Sequence, residues 1–165
     1  MSETVNVLIV GIGGQGVLRA SQVLADVLVG CTFDVKQSEV HGMSQRGGSV
    51  VSEVRYGNAV HSPLAPHNEI DFLIALDRDE GLRAAPRLRP GKGARIDAPD
   101  DLVARLPDPR GRNMAVLGRL SNRLDIPVEA WHNAVRHCMP PKSVKTNITA
   151  LDMGRTFDES APPNG

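Results

Sequence analysis

Near its start the chain carries a short apolar run, Val5-Asn6-Val7-Leu8-Ile9-Val10, that ends in Gly11-Ile12-Gly13-Gly14-Gln15-Gly16. An apolar stretch this short and nearly unbroken predicts a strand buried on both faces, as in a parallel sheet. The residues after the glycines, Val17 to Val29, predict a helix. Val17, Ala20, Leu24, Val27 and Leu28 share one face, Arg19, Gln22 and Asp26 share the other, and Gly30 can close it. Strand, glycine loop and helix form half of a βαβ unit, which restricts the chain to an α/β architecture.

Further elements can be read along the chain. Phe33 to Ser38 predicts a second strand and Ser49 to Tyr56 a third. Gly57-Asn58 offers a two-residue turn into Ala59 to Ser62, a hairpin signal. Ile70 to Leu76 predicts another buried strand. Asp77 can cap a short helix, with Glu80 completing a capping box and Pro86 stopping it. The basic stretch Arg83 to Arg95 reads as a solvated loop, Ala94 to Asp97 as an edge strand, and Asp100 to Leu106 as a turn or two of helix.

The last third reads as helical. Asn113 is the expected cap of a helix with Met114, Leu117, Leu120, Ser121 and Leu124 on one stripe. Pro127 opens a helix whose stripe is Val128, Trp131, Val135 and Cys138. Asn147 is the expected cap of one more short helix, closed by Gly154, and the polar Pro/Gly tail of residues 158–165 is expected to be disordered. The expected fold is therefore α/β: a three-layer, Rossmann-like, mixed but mainly parallel sheet with helices on both faces and a helical C-terminal segment. A single domain over residues 1–157 is expected. At 165 residues the chain suits one core, burying roughly 70% of the unfolded surface.

Composition narrows function. Nineteen Lys+Arg balance nineteen Asp+Glu, so nothing suggests a nucleic-acid or anionic-membrane partner. Five aromatics offer little for base stacking. No stretch approaches the ~18 apolar residues of a membrane span, and residues 1–4 have no basic leader, so a cytoplasmic location is expected. Cys31 and Cys138 are too few for a zinc site or an iron–sulfur cluster with its four or so thiolates, and read as reduced, half-buried thiols. His61, His67, His132 and His137 show no metal spacing, since five residues on a helix turn about 500°. No metal ligands are expected.

Gly11, Gly13 and Gly16 satisfy G-x-G-x-x-G between a strand and a helix, where backbone N–H groups and the helix dipole favour a phosphate. No Lys-Ser/Thr pair follows, so this is not a P-loop. Glu39, 23 residues past Gly16, stands near the place of the acid that holds a ribose in a dinucleotide site. A second loop, Ser38-Glu39-Val40-His41-Gly42-Met43-Ser44-Gln45-Arg46-Gly47-Gly48, concentrates hydrogen-bond donors, an Arg fork and two flexible glycines at the sheet edge where ligands bind. His41 is a possible general acid or base without an evident partner. No nucleophile elbow, zinc pair, cysteine cluster, kinase signature or thiamine-diphosphate Gly-Asp-Gly is present. Two readings stay open: a binding half whose chemistry comes from a partner, and a free-standing NAD-binding oxidoreductase module.

The segment from Asn6 to Leu18 and the block from Ser38 to Val50, with its Gly-Met-x-Gln-Arg-Gly-Gly, resemble the gamma-type domain of the 2-oxoacid:ferredoxin oxidoreductases, in its indolepyruvate branch. Ser62-Pro63-Leu64, residues 71–76, residues 113–118 and residues 147–154 support the resemblance, which covers about Val5 to Gly154. It implies a small subunit that is inactive alone and takes part in oxidative decarboxylation of an aryl pyruvate to an aryl-acetyl-CoA, with ferredoxin as acceptor. It implies a large (alpha) subunit carrying thiamine diphosphate and the iron–sulfur clusters, and coenzyme A as co-substrate at the interface. Carried onto this chain, Gly11, Gly13, Gly14, Gln15 and Gly16 face coenzyme A or the partner. Met43, Gln45, Arg46, Gly47 and Gly48 line the second loop, Arg46 offering the anionic contact. The chain is shorter than the family pattern between Asp97 and Asn113.

Overall fold

The computed structural model describes residues 4–41 and 47–160. Among these residues five strands form one sheet: β1 (Val5–Ile12), β2 (Asp34–His41), β3 (Ser49–Gly57), β4 (Phe72–Ala75) and β5 (Ala94–Asp97). Six α-helices accompany them: α1 (Val17–Gly30), α2 (Arg78–Ala84), α3 (Asp100–Arg105), α4 (Arg112–Ser121), α5 (Val128–Cys138) and α6 (Val144–Thr156). Strand order is β2-β3-β1-β4-β5. Four strands point the same way, whereas β3 runs against both neighbours, Ile9 opposing Ser52 and Val51 opposing Val40. The α/β sheet is thus mixed, as the sequence led one to expect, with β1–β4 and β4–β5 paired parallel and β1–β3 and β2–β3 antiparallel.

β1 lies at the centre because both its faces are apolar. Val7, Leu8, Ile9 and Val10 are at most 1% exposed, each contributing about 1.5–3 kcal/mol of burial. Val7 and Ile9 join the larger core with Leu24 and Leu28 of α1, Met114 and Leu117 of α4, Trp131 of α5 and Leu151 of α6. Leu8 and Val10 join a thinner core with Ile70, Leu73 and Ala75, flanked by Ala84, Ala85 and Leu88. Helices cover both faces, but unequally: on the thinner side α2 lies mainly over β1 and β4. The helical C-terminal third supplies most of the other layer. Among the described residues no helix is long and apolar enough to cross a membrane.

Several local expectations are corrected. No strand follows Gly57-Asn58; the hairpin is β2–β3, paired from Asp34–Gly57 to His41–Val50. Residues 59–69 instead form a loop held by ion-pair and backbone chemistry: Arg55 donates to the Ser62 and Leu64 carbonyls, and Ala65 N donates to the Glu53 carboxylate. Arg87 and Arg89 of the basic stretch are not merely solvated. They pair with Glu53 and with Glu69 and Asp71, respectively. Asp77 does cap α2, accepting from Asp79 N and Glu80 N at 3.0 Å; Glu80, however, turns to Ser49 and Arg83.

Asn147 lies inside α6, its amide donating to Ser143 O, and the cap is Ser143. Gly154 is also interior to α6, because that helix crosses α4 with almost no gap. A Cβ on Gly154 would stand 1.9 Å from Ala115 O, and one on Gly118 2.0 Å from Leu151 O. Of the expected tail, residues 158–160 are placed, Ser160 N donating to Asp158 Oδ1 at 2.9 Å; residues 161–165 lie outside the described residues.

Candidate functional site

Both glycine-bearing loops emerge at the carboxyl edge of the sheet. β1 delivers the first. β2 and β1 point the same way, so β2 ends at the same edge, and antiparallel β3 starts there. The chain entering β3 is therefore brought against the loop leaving β1. Gly13 N donates to Gly48 O at 2.9 Å, and a Cβ on Gly13 would lie 3.4 Å from Gly47 N. The two predicted loops touch through their backbones.

Within the first loop the roles divide. Gly11 has no room for a side chain, since its Cβ would meet Gln15 Oε1 and Val17 Cγ2 at 2.8 Å. Gln15 folds back, its Oε1 accepting from Ile12 N at 2.9 Å while its own N–H donates to Ile12 O. Its side-chain carbonyl holds the turn. Gly14 (φ 91°) and Gly16 (φ 82°) take left-handed backbone that L side chains avoid. Gly14 and Gly47 (φ 68°) face open space.

Helix α1 begins directly after Gly16 with no side-chain cap and no acidic residue in its first turn. The first helical bond is Ala20 N to Gly16 O, so the N–H groups of Val17, Leu18 and Arg19 have no helical acceptor and carry the positive end of the helix dipole. An open cleft of about 520 Å³ lies over this helix start, lined by Gly13, Gly14, Gly16, Arg19, Gln22 and His41 among others. That volume suits a nucleotide-sized ligand. A smaller hollow on the other side of Gly14 and Gln15 is lined by Pro109, Arg110 and Arg112. Arg110 is exposed but forked onto Asp108, whose carboxyl it holds below the ordinary range.

Met43, Gln45 and Arg46 lie outside the described residues, together with Gly42 and Ser44. Gly11, Gly13, Gly14, Gln15, Gly16, Gly47 and Gly48 are gathered at one edge. Glu39 is not among them. It stands exposed on the edge strand β2, with β3 between it and β1, and its contact there is the Gln37 amide at 3.2 Å. The ribose-holding geometry needs the second strand beside the first, so the inserted β3 removes Glu39 from that place.

The structure adds residues that sequence reading had assigned elsewhere. Asn113 does not cap α4, whose N-cap is Gly111. It is buried, and its amide donates to Gly16 O at 3.2 Å, bracing the loop from a helix 97 residues away. Arg19 and Gln22 read as part of a polar helix face; their signal was their place in the first turns after the glycine loop. Arg19 also donates to Cys138 O at 2.8 Å.

The sequence profile of the pyruvate ferredoxin/flavodoxin oxidoreductase family matches residues 6–112, a span that holds both glycine loops. This chain belongs to that family. Among curated relatives of this pyruvate ferredoxin/flavodoxin oxidoreductase domain, the "Indolepyruvate oxidoreductase subunit IorB" of Archaeoglobus fulgidus is 31% identical over 96% of this chain and 98% of the relative. The protein of the same name from Pyrococcus horikoshii is 28% identical over 90% and 93%. The Archaeoglobus alignment runs over 198 positions while taking in 96% of a 165-residue chain, so the relative carries segments that this chain lacks. In three dimensions, the gamma subunit of a keto/oxoacid ferredoxin oxidoreductase from Geobacter sulfurreducens superposes with a TM-score of 0.72 at 21% identity, over 91% of this chain and 95% of that one. A 2-oxoglutarate:ferredoxin oxidoreductase from Magnetococcus marinus, with 2-oxoglutarate, coenzyme A and succinyl-CoA bound, superposes at 0.79 and 14% identity; the family domain described here covers 99% of itself and 32% of that longer chain. These two likenesses establish the fold.

Proposed function

We propose that this chain is the small subunit of an indolepyruvate:ferredoxin oxidoreductase, in which a large partner subunit performs the oxidative decarboxylation of an aryl pyruvate. The products are an aryl-acetyl-CoA, carbon dioxide and reduced ferredoxin. The observation that carries this reading is the backbone tie between Gly13 and Gly48. It joins two glycine-bearing loops at an open sheet edge, beside a helix start that has no side-chain cap among the described residues. Such a wall accepts the pyrophosphate of coenzyme A, with Gly13, Gly14 and Gly16 letting the ligand or partner approach, Gly11 and Gln15 holding the turn, Gly47 and Gly48 beside it, and Met43, Gln45 and Arg46 assigned to the same ligand by the family resemblance.

Thiamine diphosphate and the iron–sulfur clusters belong to the partner in this proposal. This chain holds two cysteines against the four or so thiolates that a cluster needs. The complex is cytoplasmic, and residues 1–157 act in it as one domain.

Reconstitution tests the reading. The isolated chain is expected to show no 2-oxoacid oxidation, and indolepyruvate oxidation dependent on coenzyme A is expected when the large subunit is added. Turnover by the isolated chain, or an undiminished rate from the large subunit alone, would overturn it. NAD(H) is expected to leave the melting temperature of the chain unchanged. A ligand that binds at 100 times its dissociation constant would add about 2.7 kcal/mol.

A further inference from the structure

Away from the glycine loops, α1 and α5 bring together three groups that lie far apart in sequence. Asp26 sits in the third turn of α1; His137 and Cys138 are the last two residues of α5. His137 Nδ1 lies 2.8 Å from Asp26 Oδ1, and the carboxylate oxygen, the imidazole nitrogen and Cys138 Sγ all lie within 4.8 Å of one another. Asp26 and His137 border an open cleft of about 400 Å³ between the two helices. We propose that Asp26, His137 and Cys138 bind a divalent ion of the zinc class and so clamp α1 to the end of α5.

The donor set selects the ion. One thiolate, one imidazole and one carboxylate form a mixed S/N/O set that suits borderline-soft zinc rather than magnesium or calcium. Bond lengths of about 2.0–2.3 Å place tetrahedral ligands about 3.3–3.7 Å apart, so Asp26 and His137, 2.8 Å apart without the ion, part by about 0.5 Å to admit it, and Cys138 Sγ, within 4.8 Å of both, completes the trio. Water fills the fourth position from the cleft. The C-terminus of α5 adds the negative end of its dipole beside the ion. Binding releases the Cys138 thiol proton to solvent, and the His137 ring proton resides on Nε2 so that the Nδ1 lone pair faces the metal. The charges of thiolate and carboxylate then balance the dication.

The alternative use of such a trio, a thiol nucleophile, is disfavoured by the surroundings. His137 is engaged with the Asp26 carboxylate at 2.8 Å, whereas an activated cysteine needs the imidazole paired with its own sulfur. Sequence spacing hid the site because Asp26 lies 111 residues from His137.

Titration of the full chain with Co²⁺ and then Zn²⁺ tests the proposal. One Co²⁺ per chain is expected, with a thiolate-to-cobalt charge-transfer band and the intense d–d bands of a four-coordinate site, both removed by Zn²⁺. Cys138→Ser is expected to abolish the charge-transfer band. Asp26→Asn and His137→Gln are expected to weaken binding at least about tenfold, the lower end of what even outer partners of a metal site contribute. Cys31→Ser is expected to change nothing. Absence of a charge-transfer band in the unaltered chain, its loss on Cys31→Ser, or weak binding that survives all three replacements overturns the proposal. Should Cys138→Ser not fold, alkylation of Cys138 in the unaltered chain decides: protection by one equivalent of Zn²⁺ supports the site, and an unchanged rate overturns it.

Discussion

The Asn113 amide donates to the Gly16 carbonyl, and a Cβ placed on Gly16 would stand 2.3 Å from that same amide nitrogen. One side chain therefore both holds the loop and forbids its enlargement. Gly16 also has φ 82°, so alanine there meets two obstacles. Gly16→Ala is expected to lower stability by roughly 1–3 kcal/mol, and Asn113→Ala by about 1 kcal/mol through the lost hydrogen bond. In the double variant the costs are expected to fall short of their sum by more than about 0.5 kcal/mol, because the clash is gone. Urea unfolding of the four proteins measures this; strict additivity would mean that the two residues act separately.

The α4–α6 crossing makes the sign of a glycine replacement the informative quantity. Helix propensity alone favours alanine over glycine by about 1 kcal/mol. At Gly154 the added carbon would stand 1.9 Å from the Ala115 carbonyl oxygen, which belongs to backbone and cannot swing away. Gly154→Ala is expected to destabilise by at least about 2 kcal/mol. Gly30, the last residue of α1, has nothing within 4 Å of such a carbon, and Gly30→Ala is expected to stabilise by about 0.5–1 kcal/mol. A stabilising Gly154→Ala would mean that the helices do not approach this closely.

These two sites also show what local pattern can and cannot convey. The apolar run of β1 and the glycines after it were legible because continuous hydrophobicity and a turn motif are properties of adjacent residues. The place of β3 was not. Alternation announces that a strand exists, but its partner depends on the whole sheet, and the insertion of β3 between β2 and β1 is what moves Glu39 away from the glycine loop. Gly154 and Asn113 were misread for the same reason. A glycine near a helix end and an asparagine near a helix start match the rules for caps, while their real partners, Ala115 and Gly16, are remote in sequence.

Gly13 separates ligand approach from stability. Its Cβ would lie 3.4 Å from Gly47 N, so alanine is accommodated, whereas the two methyl groups of valine press on the second loop. In the reconstituted complex Gly13→Val is expected to lower kcat/KM for coenzyme A on the order of tenfold or more, as small displacements near a reacting ligand do. The folded isolated chain is expected to be retained. Gly13→Ala is expected to show a much smaller loss. Steady-state kinetics of both variants at varied coenzyme A makes the comparison, and an unaltered profile for Gly13→Val would remove this loop from the ligand path.

Tyr56 gives a pH test free of interference, since it is the single tyrosine of the chain. The residue is 7% exposed and its ring meets Phe33 edge-on at 5.1 Å between centroids. Burial, with a smaller contribution from the Asp71 charge, pushes its hydroxyl up to about 12 from an ordinary 10.0. The folded chain thus disfavours the tyrosinate. The associated stability is fully present below pH 10 and is lost as pH rises through 12. Absorbance of the tyrosinate is expected to rise with a midpoint about two units above that of the unfolded chain, and Tyr56→Phe is expected to lessen the loss of stability in this window. A folded-state midpoint near 10 would mean that the ring stands in water, and with it that the floor of the sheet beneath β3 is open.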